Sequence, residues 1–166
     1  MDPSFFMHTE GGQFVLDDEK VWELLLARLS RREHTFKELA RYLKGKGAEP
    51  DQIDRLAARA RELGYLSDER AARIWAREWA LRGQGIEGIR RKLSLLKGVR
   101  ATAEQIEEWL SDGQARAPEL ERAVAWIQRR YVGFSTDEKL RRRAFAALVR
   151  RGFSMEIAKR AVSLPE

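Results

Sequence analysis

Three glycines, each directly preceded by a lysine or arginine, divide this 166-residue chain at nearly regular intervals of 51 and 54 residues. The three dipeptides are Lys46-Gly47, Lys97-Gly98 and Arg151-Gly152. Glycine adopts the left-handed backbone that closes a helix, and a basic residue suits the negative end of the helix dipole. Apolar residues recur at helical spacing before each dipeptide. A period of this length indicates tandem helical units that bury their apolar faces on their neighbours.

The sequence therefore predicts an all-α fold, an elongated, curved array of three tandem three-helix repeats with about nine helices. We expect the repeats at residues 19–64, 65–112 and 118–163, after an acidic N-terminal tail at residues 1–18. Residues 13–16 alone have a β-like pattern, and residues 113–118 are the expected link into the third repeat. The apolar stripes expected to face the core extend to Leu63, Ile74 and Leu96.

Three capping boxes predict where helices begin. Each places Ser or Thr three positions before Glu or Gln, so that side chain and backbone at the two positions hydrogen-bond reciprocally. They lie at Thr35–Glu38, Thr102–Gln105 and Ser135–Glu138.

The charge of the chain is concentrated near its C-terminal end. Lys and Arg number 32 against 26 Asp and Glu, a net charge of +6. Residues 1–18 carry −4, whereas residues 113–166 carry +6. A basic surface is typical of proteins with an anionic partner, either nucleic acid or an acidic protein, although a merely soluble surface is the alternative. We therefore expect a binding site for an anion in the last third of the chain.

Several classes of protein find no support in the sequence. The chain has no cysteine, which excludes disulfide scaffolds and thiol nucleophiles and fits a cytoplasmic location. No apolar run is long enough to span a membrane, and the N-terminus does not resemble a secretory signal. The two histidines, His8 and His34, have no companion ligands or catalytic partners in sequence. We expect no enzyme activity, no metal and no cofactor.

Residues 83–88 match the G-x-G-x-x-G string of dinucleotide-binding proteins. That function requires a preceding strand and a surrounding βαβ unit, but a helical stripe precedes this string. We therefore interpret the glycines as a helix end, a turn and a new helix start.

The five tryptophans each lie in an apolar stripe, which favours core packing over stacking on nucleic-acid bases. They are Trp22, Trp75, Trp79, Trp109 and Trp126. Trp75 and Trp79, four residues apart, remain open as an exposed pair.

A basic stripe is the strongest functional signal. At 100° per residue, Lys139, Arg143 and Arg150 lie within roughly 40° of one another on a predicted helix, with Arg142 beside them. Few acids interrupt residues 139–151, so we expect few neutralising ion pairs. The alternative is an ordinary solvated face. The predicted partner- or DNA-binding set is Lys139, Arg142, Arg143, Arg150 and Arg151, with Arg90, Arg91 and Lys97 secondary and Arg70 and Arg77 as further candidates.

An ordered series of motifs resembles the RecX family, regulators of the RecA recombinase. Residues 64–70 (GYLSDER) are similar to its G-Y-L-[DS]-D-x-R signature, and residues 82–93 to its R/K-G-x-G-x-x-x-I-R-x-x-L signature. Lys97–Val99 continues the likeness, and Arg150–Phe153 resembles the R-G-[FY] step of the last unit. The resemblance covers about residues 19–163. Three departures are Ala71, where the family usually has an aromatic residue, one extra residue between Leu93 and Gly98, and a longer connection from Gly98 to Ile106.

This resemblance implies a non-catalytic protein of tandem three-helix units, and a monomer is the simplest expectation for its oligomeric state. Such a protein would bind in the groove of the RecA–DNA filament and inhibit its recombinase, ATPase and co-protease activities, with a role in recombination, DNA repair and the SOS response. The residues alone leave three alternatives open: a helical nucleic-acid-binding module without a recombinase partner, a structural adaptor for an acidic protein, and an enzyme.

Overall fold

The computed structural model describes residues 16–111 and 117–164. Within these stretches the chain forms nine α-helices and no β-strand, which confirms the predicted all-α fold. Most of the acidic tail lies outside the described residues, as do His8, the first three residues of the β-like pattern expected at 13–16 and the first four of the link expected at 113–118. The helices are α1 (Asp18–Leu29), α2 (Phe36–Gly45), α3 (Pro50–Glu62), α4 (Asp68–Leu81), α5 (Ile86–Lys92), α6 (Ala103–Ser111), α7 (Glu119–Arg130), α8 (Glu138–Arg150) and α9 (Met155–Ser163).

The chain divides into two compact units within α4, the first ending at Ala71 and the second beginning at Ala72. In the first unit, α1, α2 and α3 bury one hydrophobic cluster that includes Val21, Leu25, Leu39, Leu43, Ile53 and Leu56. The predicted capping box opens α2: Thr35 N donates to Glu38 Oε2 over 3.1 Å, and Glu38 N donates to Thr35 Oγ1 over 3.4 Å.

The second unit contains two further hydrophobic clusters. One draws on α4, α5 and α6, and includes Trp79, Ile89, Leu93, Ile106, Trp109 and Leu110. The other draws on α7, α8 and α9, and includes Ala123, Trp126, Ile127, Ala144, Leu148 and Ala161. Phe134, in the connection between α7 and α8, is fully buried in this last cluster. The predicted boundaries of the three repeats, and their curved arrangement, stay predictions.

Three residues of the predicted apolar stripes are exposed instead of buried. Leu63 is 51% exposed, Ile74 44% and Leu96 54%. Leu63 lies at the C-cap of α3, past the last turn that packs on the cluster. Leu96 lies in a π-helical turn, Leu93–Lys97, that continues α5. A π turn holds one more residue than an α turn, so the residues after Leu93 shift around the helix axis and leave the core face. The extra residue noted in the sequence between Leu93 and Gly98 falls in this turn.

The capping box predicted at Ser135–Glu138 is wrong. Asp137 is the N-cap of α8, and its carboxylate accepts from Lys139 N over 2.8 Å and from Leu140 N over 3.1 Å. Aspartate caps a helix as well as serine does, so the pattern alone did not distinguish the two starts. The box at Thr102–Gln105 is confirmed: Thr102 N donates to Gln105 Oε1 and Gln105 N donates to Thr102 Oγ1.

Replacing the cap of α8 should distinguish the observed start from the predicted one. We expect Asp137→Ala to lower the free energy of unfolding by about 1 kcal/mol, because two backbone N–H groups lose their acceptor. Ser135→Ala, the matched control, should change it by less than about 0.5 kcal/mol. Urea denaturation followed by circular dichroism measures both, and a larger loss for Ser135→Ala would contradict the assigned cap.

Candidate functional site

The glycine string at residues 83–88 forms a joint within the second unit. The first backbone N–H groups of α5 all donate hydrogen bonds to residues that are distant in the sequence. Gly85 N donates to Arg151 O over 3.1 Å, and Glu87 N and Gly88 N donate to Gly152 O over 3.1 and 3.3 Å. Ile86 N donates to Glu119 Oε1 over 2.8 Å.

Glycine is required in this joint because the two chain segments are in backbone contact. A Cβ at Gly88 would lie 2.2 Å from Arg151 O, and one at Gly85 would lie 2.4 Å from Gly152 O. Gly152 itself has a φ of +82°, and its Cβ would lie 2.0 Å from Gly88 N. The turn between α8 and α9 thus occupies the position that a pyrophosphate would take at the start of α5. The structure supports the interpretation as a turn and helix start.

Arg151 contacts other residues of this joint. Its Nη1 donates to Arg82 O over 3.1 Å and to Gly83 O over 3.3 Å, and its guanidinium carbon lies 4.3 Å from the centroid of the Trp126 ring. Burial lowers the pKa of Arg151, and the neighbouring Arg130 lowers that pKa further. A role for Arg151 as a direct partner contact stays a prediction, but its side chain already has internal contacts.

The basic stripe lies on α8 and is exposed. Lys139, Arg143 and Arg150 make no ion pair with any described residue. Ala144 and Leu148 on the opposite side of α8 are fully buried. Three uncompensated cations therefore follow one side of a single helix.

The expectation of few ion pairs holds only for part of the stripe. Glu138 accepts from Arg142 Nε over 3.0 Å and from Arg141 Nη1 over 3.3 Å. The side chain of Arg142 is nonetheless 78% exposed, and an exposed pair of this kind contributes at most about 1 kcal/mol. A stronger anion can replace Glu138 at low cost.

The secondary candidates have different surroundings. Arg90 pairs with Glu87 over 2.8 Å, whereas Arg91 is exposed and makes no ion pair with the residues described. Lys97 Nζ lies 3.5 Å from the centroid of the Trp75 ring, a cation–π contact. An open cleft of about 380 Å³ lies between Arg90, Arg91 and Arg100, with Leu95 on its wall.

Arg70 and Arg77 hold the fold together. In the first unit, Arg70 donates to Glu33 Oε1 and to Gly64 O, both over 2.9 Å. In the second unit, Arg77 Nε donates to Trp109 O over 2.9 Å and so joins α4 to α6. These contacts give both arginines a structural role, and their predicted role in partner binding stays a prediction.

The tryptophans pack inside the helical clusters, as the stripes predicted. Trp79, Trp109 and Trp126 are each about 5–6% exposed. Trp75 is half-buried and stacks on Trp79 with 5.5 Å between ring centroids. The pair is therefore not an exposed platform for bases.

Residues 16–111 and 117–164 contain no group of three or more His, Cys, Asp or Glu side chains that could hold a metal ion. His34 is buried beside the start of α2, where its Nδ1 lies 3.9 Å from Glu38 Oε2. No described helix is long and apolar enough to span a membrane.

Sequence reasoning missed one cluster of arginines. Arg82, Arg129 and Arg130 line an open cleft of about 560 Å³ together with Leu81 and Trp126; we call it the Trp126 pocket. Arg82 follows α4, whereas Arg129 and Arg130 end α7. The sequence places them almost 50 residues apart, so only the fold brings them together.

Comparison with known proteins gives one consistent result. The family model described as the first three-helix domain of RecX matches residues 22–59, and that of the third three-helix domain matches residues 117–162. The Regulatory protein RecX of Syntrophotalea carbinolica is 32% identical over 139 residues, covering 82% of this chain and 90% of the relative. That of Halorhodospira halophila is 33% identical over 146 residues, covering 87% and 88%.

Solved structures agree on the fold. The crystal structure of RecX from Lactobacillus salivarius matches with a TM-score of 0.70 at 21% identity, covering 87% of this chain and 94% of that one. A second crystal structure of regulatory protein RecX matches with a TM-score of 0.66 at 19% identity, covering 86% and 70%.

Substitutions of glycine by alanine should distinguish two causes of lost stability: overlap with a neighbouring backbone and strain from a positive φ. Gly152→Ala should lower the free energy of unfolding by about 2–4 kcal/mol, because the new methyl group overlaps the α5 backbone at a positive φ. Gly133→Ala is the matched control: its φ is +84°, but nothing lies within 4 Å of the added Cβ. It should cost only about 1 kcal/mol. Equal losses in chemical denaturation would contradict the close contact.

Glu119 gives the joint a pH dependence. Burial raises the pKa of Glu119, against the opposing effects of Ile86 N–H and Arg122. The folded protein therefore takes up this proton at higher pH than the unfolded chain. Protonation of Glu119 therefore stabilises the folded protein at low pH. This contribution to the free energy of unfolding decreases as pH rises from the ordinary pKa of a glutamate to the raised pKa in the folded protein.

We expect Glu119→Gln, which keeps an acceptor for Ile86 N–H, to gain stability relative to wild type as pH rises through that window. Glu119→Ala should lose about 1 kcal/mol even at neutral pH, because Ile86 N–H loses its partner. Unfolding measured from pH 3.5 to pH 7 in steps of about half a unit tests both. Parallel pH profiles for wild type and Glu119→Gln would contradict the raised pKa.

Proposed function

The chain belongs to the RecX family of regulatory proteins, and from this we propose that it binds the RecA–DNA filament in its groove and inhibits recombinase and ATPase activity. The protein acts by binding, without a reaction of its own. A role in recombination and DNA repair, a cytoplasmic location and a monomeric state are parts of the same proposal.

The observation that carries this proposal within the chain is the basic stripe. Its uncompensated cations, Lys139, Arg143 and Arg150, follow one exposed side of α8 while the other side packs in the core. Such a row presents positive charge to the phosphates and acidic side chains of a nucleoprotein filament. The exposed pair of Arg142 with Glu138 can reopen to extend the row.

One arginine of the predicted contact set supports the proposal in a different way. Arg151 donates to the backbone carbonyl of Arg82 and so positions the end of α8, the helix that carries the exposed cations, whereas Arg77 joins α4 to α6. Arg151 joins the end of α8 to the turn before α5, which fixes the C-terminal end of the stripe.

The DNA-dependent ATPase of RecA, measured with and without sub-stoichiometric amounts of this protein, tests the proposal. We expect wild type to inhibit, and Arg143→Glu combined with Arg150→Glu to raise the half-inhibitory concentration at least about tenfold, with a weaker dependence on salt. Lys159→Glu combined with Arg160→Glu is the matched control. It makes the same change in net charge on α9, where both residues are exposed.

The outcomes separate the alternatives. Equal inhibition by the stripe variant and wild type would contradict the assigned surface. No effect of wild type on RecA would contradict the proposed function itself and favour an adaptor for another protein. Tight binding to bare DNA that RecA does not improve would favour a nucleic-acid-binding module without a recombinase partner.

A further inference from the structure

One cleft of the second unit combines exposed arginines with an exposed hydroxyl. It lies between the π-helical turn after α5 and the segment that leads into α6, and its volume is about 380 Å³. Its lining residues are Arg90, Arg91, Ser94, Leu95, Arg100 and Ala101. Arginines without ion pairs occur on other surfaces too, but the lining of the Trp126 pocket includes no hydroxyl. Ser94 is the feature that distinguishes this cleft, and we call it the Ser94 cleft.

The hydroxyl of Ser94 has no part in holding the fold. Ser94 is exposed, and its Oγ makes no hydrogen bond with any residue that the structure describes. Ser135 is half-buried. Five other serines in the described ranges use the hydroxyl internally, either as a helix cap or as a donor to a carbonyl one turn earlier: Ser30, Ser67, Ser111, Ser154 and Ser163. Modification of Ser94 would therefore cost no internal hydrogen bond.

The surroundings of this hydroxyl are positive without interruption. Residues 88–103 contain five Lys and Arg side chains and no Asp or Glu. Arg91 and Arg100 are exposed and make no ion pair with any described residue. The one other hydroxyl in this range belongs to Thr102, whose Oγ1 accepts from a backbone N–H in the capping box of α6. A phosphate on Ser94 would therefore meet two arginine forks, and no carboxylate within this segment would repel it.

The turn that contains Ser94 can open at low cost. It runs from Leu93 to Lys97, and Leu93 is its one buried residue. Gly98 then ends the helix at a φ of +71°. Opening of the chain after Leu93 exposes no further buried side chain of this turn, so it costs far less than global unfolding. An enzyme can therefore reach the Ser94 hydroxyl while the rest of the unit stays folded.

We propose that Ser94 is a phosphorylation site and that Arg91 and Arg100 hold the phosphate. Arg91 and Lys92 lie three and two positions before Ser94, a charge pattern that suits a serine/threonine kinase with an acidic substrate groove. The Ser94 Oγ attacks the γ-phosphorus of a nucleoside triphosphate, and a new O–P bond forms. The bond from that phosphorus to the β,γ-bridging oxygen breaks, the nucleoside diphosphate leaves, and the hydroxyl proton passes to the base of the kinase.

The modification would change the charge of this surface. A phosphoserine carries about −1.5 to −2 at neutral pH, which offsets about two of the five cations in residues 88–103. Arg91 is one of the secondary candidates for partner binding, and a guanidinium that holds the phosphate is not available to another anion. The inference goes beyond the proposed function because the acceptor and its arginines are defined without RecA.

Transfer of labelled phosphate tests the acceptor. The full chain is incubated with radiolabelled ATP and the catalytic subunit of cyclic-AMP-dependent protein kinase, which selects serines that follow basic residues. We expect wild type to be labelled and Ser94→Ala to lose nearly all of the label. Ser154→Ala is the matched control and should be labelled like wild type: Arg150 and Arg151 lie four and three positions before Ser154, but its hydroxyl caps α9.

The outcomes of this assay decide the acceptor. Absence of label in wild type, or equal labelling of Ser94→Ala and wild type, would overturn the assignment of Ser94. Circular dichroism establishes that each variant is folded. Because RecA is absent, a failure of RecA inhibition leaves the result unchanged.

A phosphorus NMR titration tests the arginines. Phosphoserine is placed at position 94 by genetic encoding, so this measurement does not depend on a kinase. Arginine forks favour the dianion, and we therefore expect the second pKa of the phosphate to lie below its ordinary value of about 6. Arg91→Gln combined with Arg100→Gln should return that pKa towards the ordinary value. Lys159→Gln combined with Arg160→Gln removes the same charge from α9 and should leave the pKa nearly unchanged. Equal pKa values in all three proteins would overturn the proposed role of the two arginines.

Discussion

The contact between the backbones of two turns organises the second unit. The α8–α9 turn meets the start of α5 so closely that Gly85, Gly88 and Gly152 have no room for a side chain. Carbonyls of Arg151 and Gly152 satisfy the N–H groups of α5, and Glu119 satisfies another. Because hydrogen bonds and close packing act at the same place, the relative position of α5, α7 and α8 is strongly determined.

That joint also decides which cations are available. Arg151 has its donors directed to the carbonyls of Arg82 and Gly83, and its guanidinium lies over Trp126. The same contact brings the end of α4 beside the end of α7, where Arg82, Arg129 and Arg130 surround the cleft. A structural arginine thus supports a group of exposed ones. Arginines at the ends of different helices therefore have different roles: Arg151 makes internal contacts, whereas Arg82, Arg129 and Arg130 are exposed.

Much of the fold was predictable because the local sequence patterns that begin and end helices agree with the helices that pack in the structure. Helical periodicity, basic residues before glycine and two of three capping boxes predicted the helices, and Gly47, Gly98 and Gly152 all have positive φ. The cap of α8 was missed because serine and aspartate are equally good caps and lie two residues apart. Leu96 was misplaced because periodicity assumes an unbroken α-helix.

The candidate site was less predictable than the fold. Angles on one helix placed Lys139, Arg143 and Arg150 together, since they share a single element. The contacts of Arg70 with Glu33, and of Arg77 with Trp109, join residues more than 30 positions apart, which spacing along a helix cannot reveal. The Trp126 pocket depends on two helix ends meeting in space, and no local pattern encodes such a meeting.

The π-helical turn at Leu93–Lys97 has a consequence for how this chain tolerates a change in length. Upstream of it, α5 is held by its N-terminal hydrogen bonds; downstream, Gly98 at a φ of +71° ends the helix. The extra residue lies between these two fixed points. It therefore changes the direction of the side chains in that turn only, and Leu95 is 71% exposed as a result. An evolutionary insertion can thus persist as a local bulge, while both flanking segments keep their register and the exposed bulge becomes new surface on which selection can act.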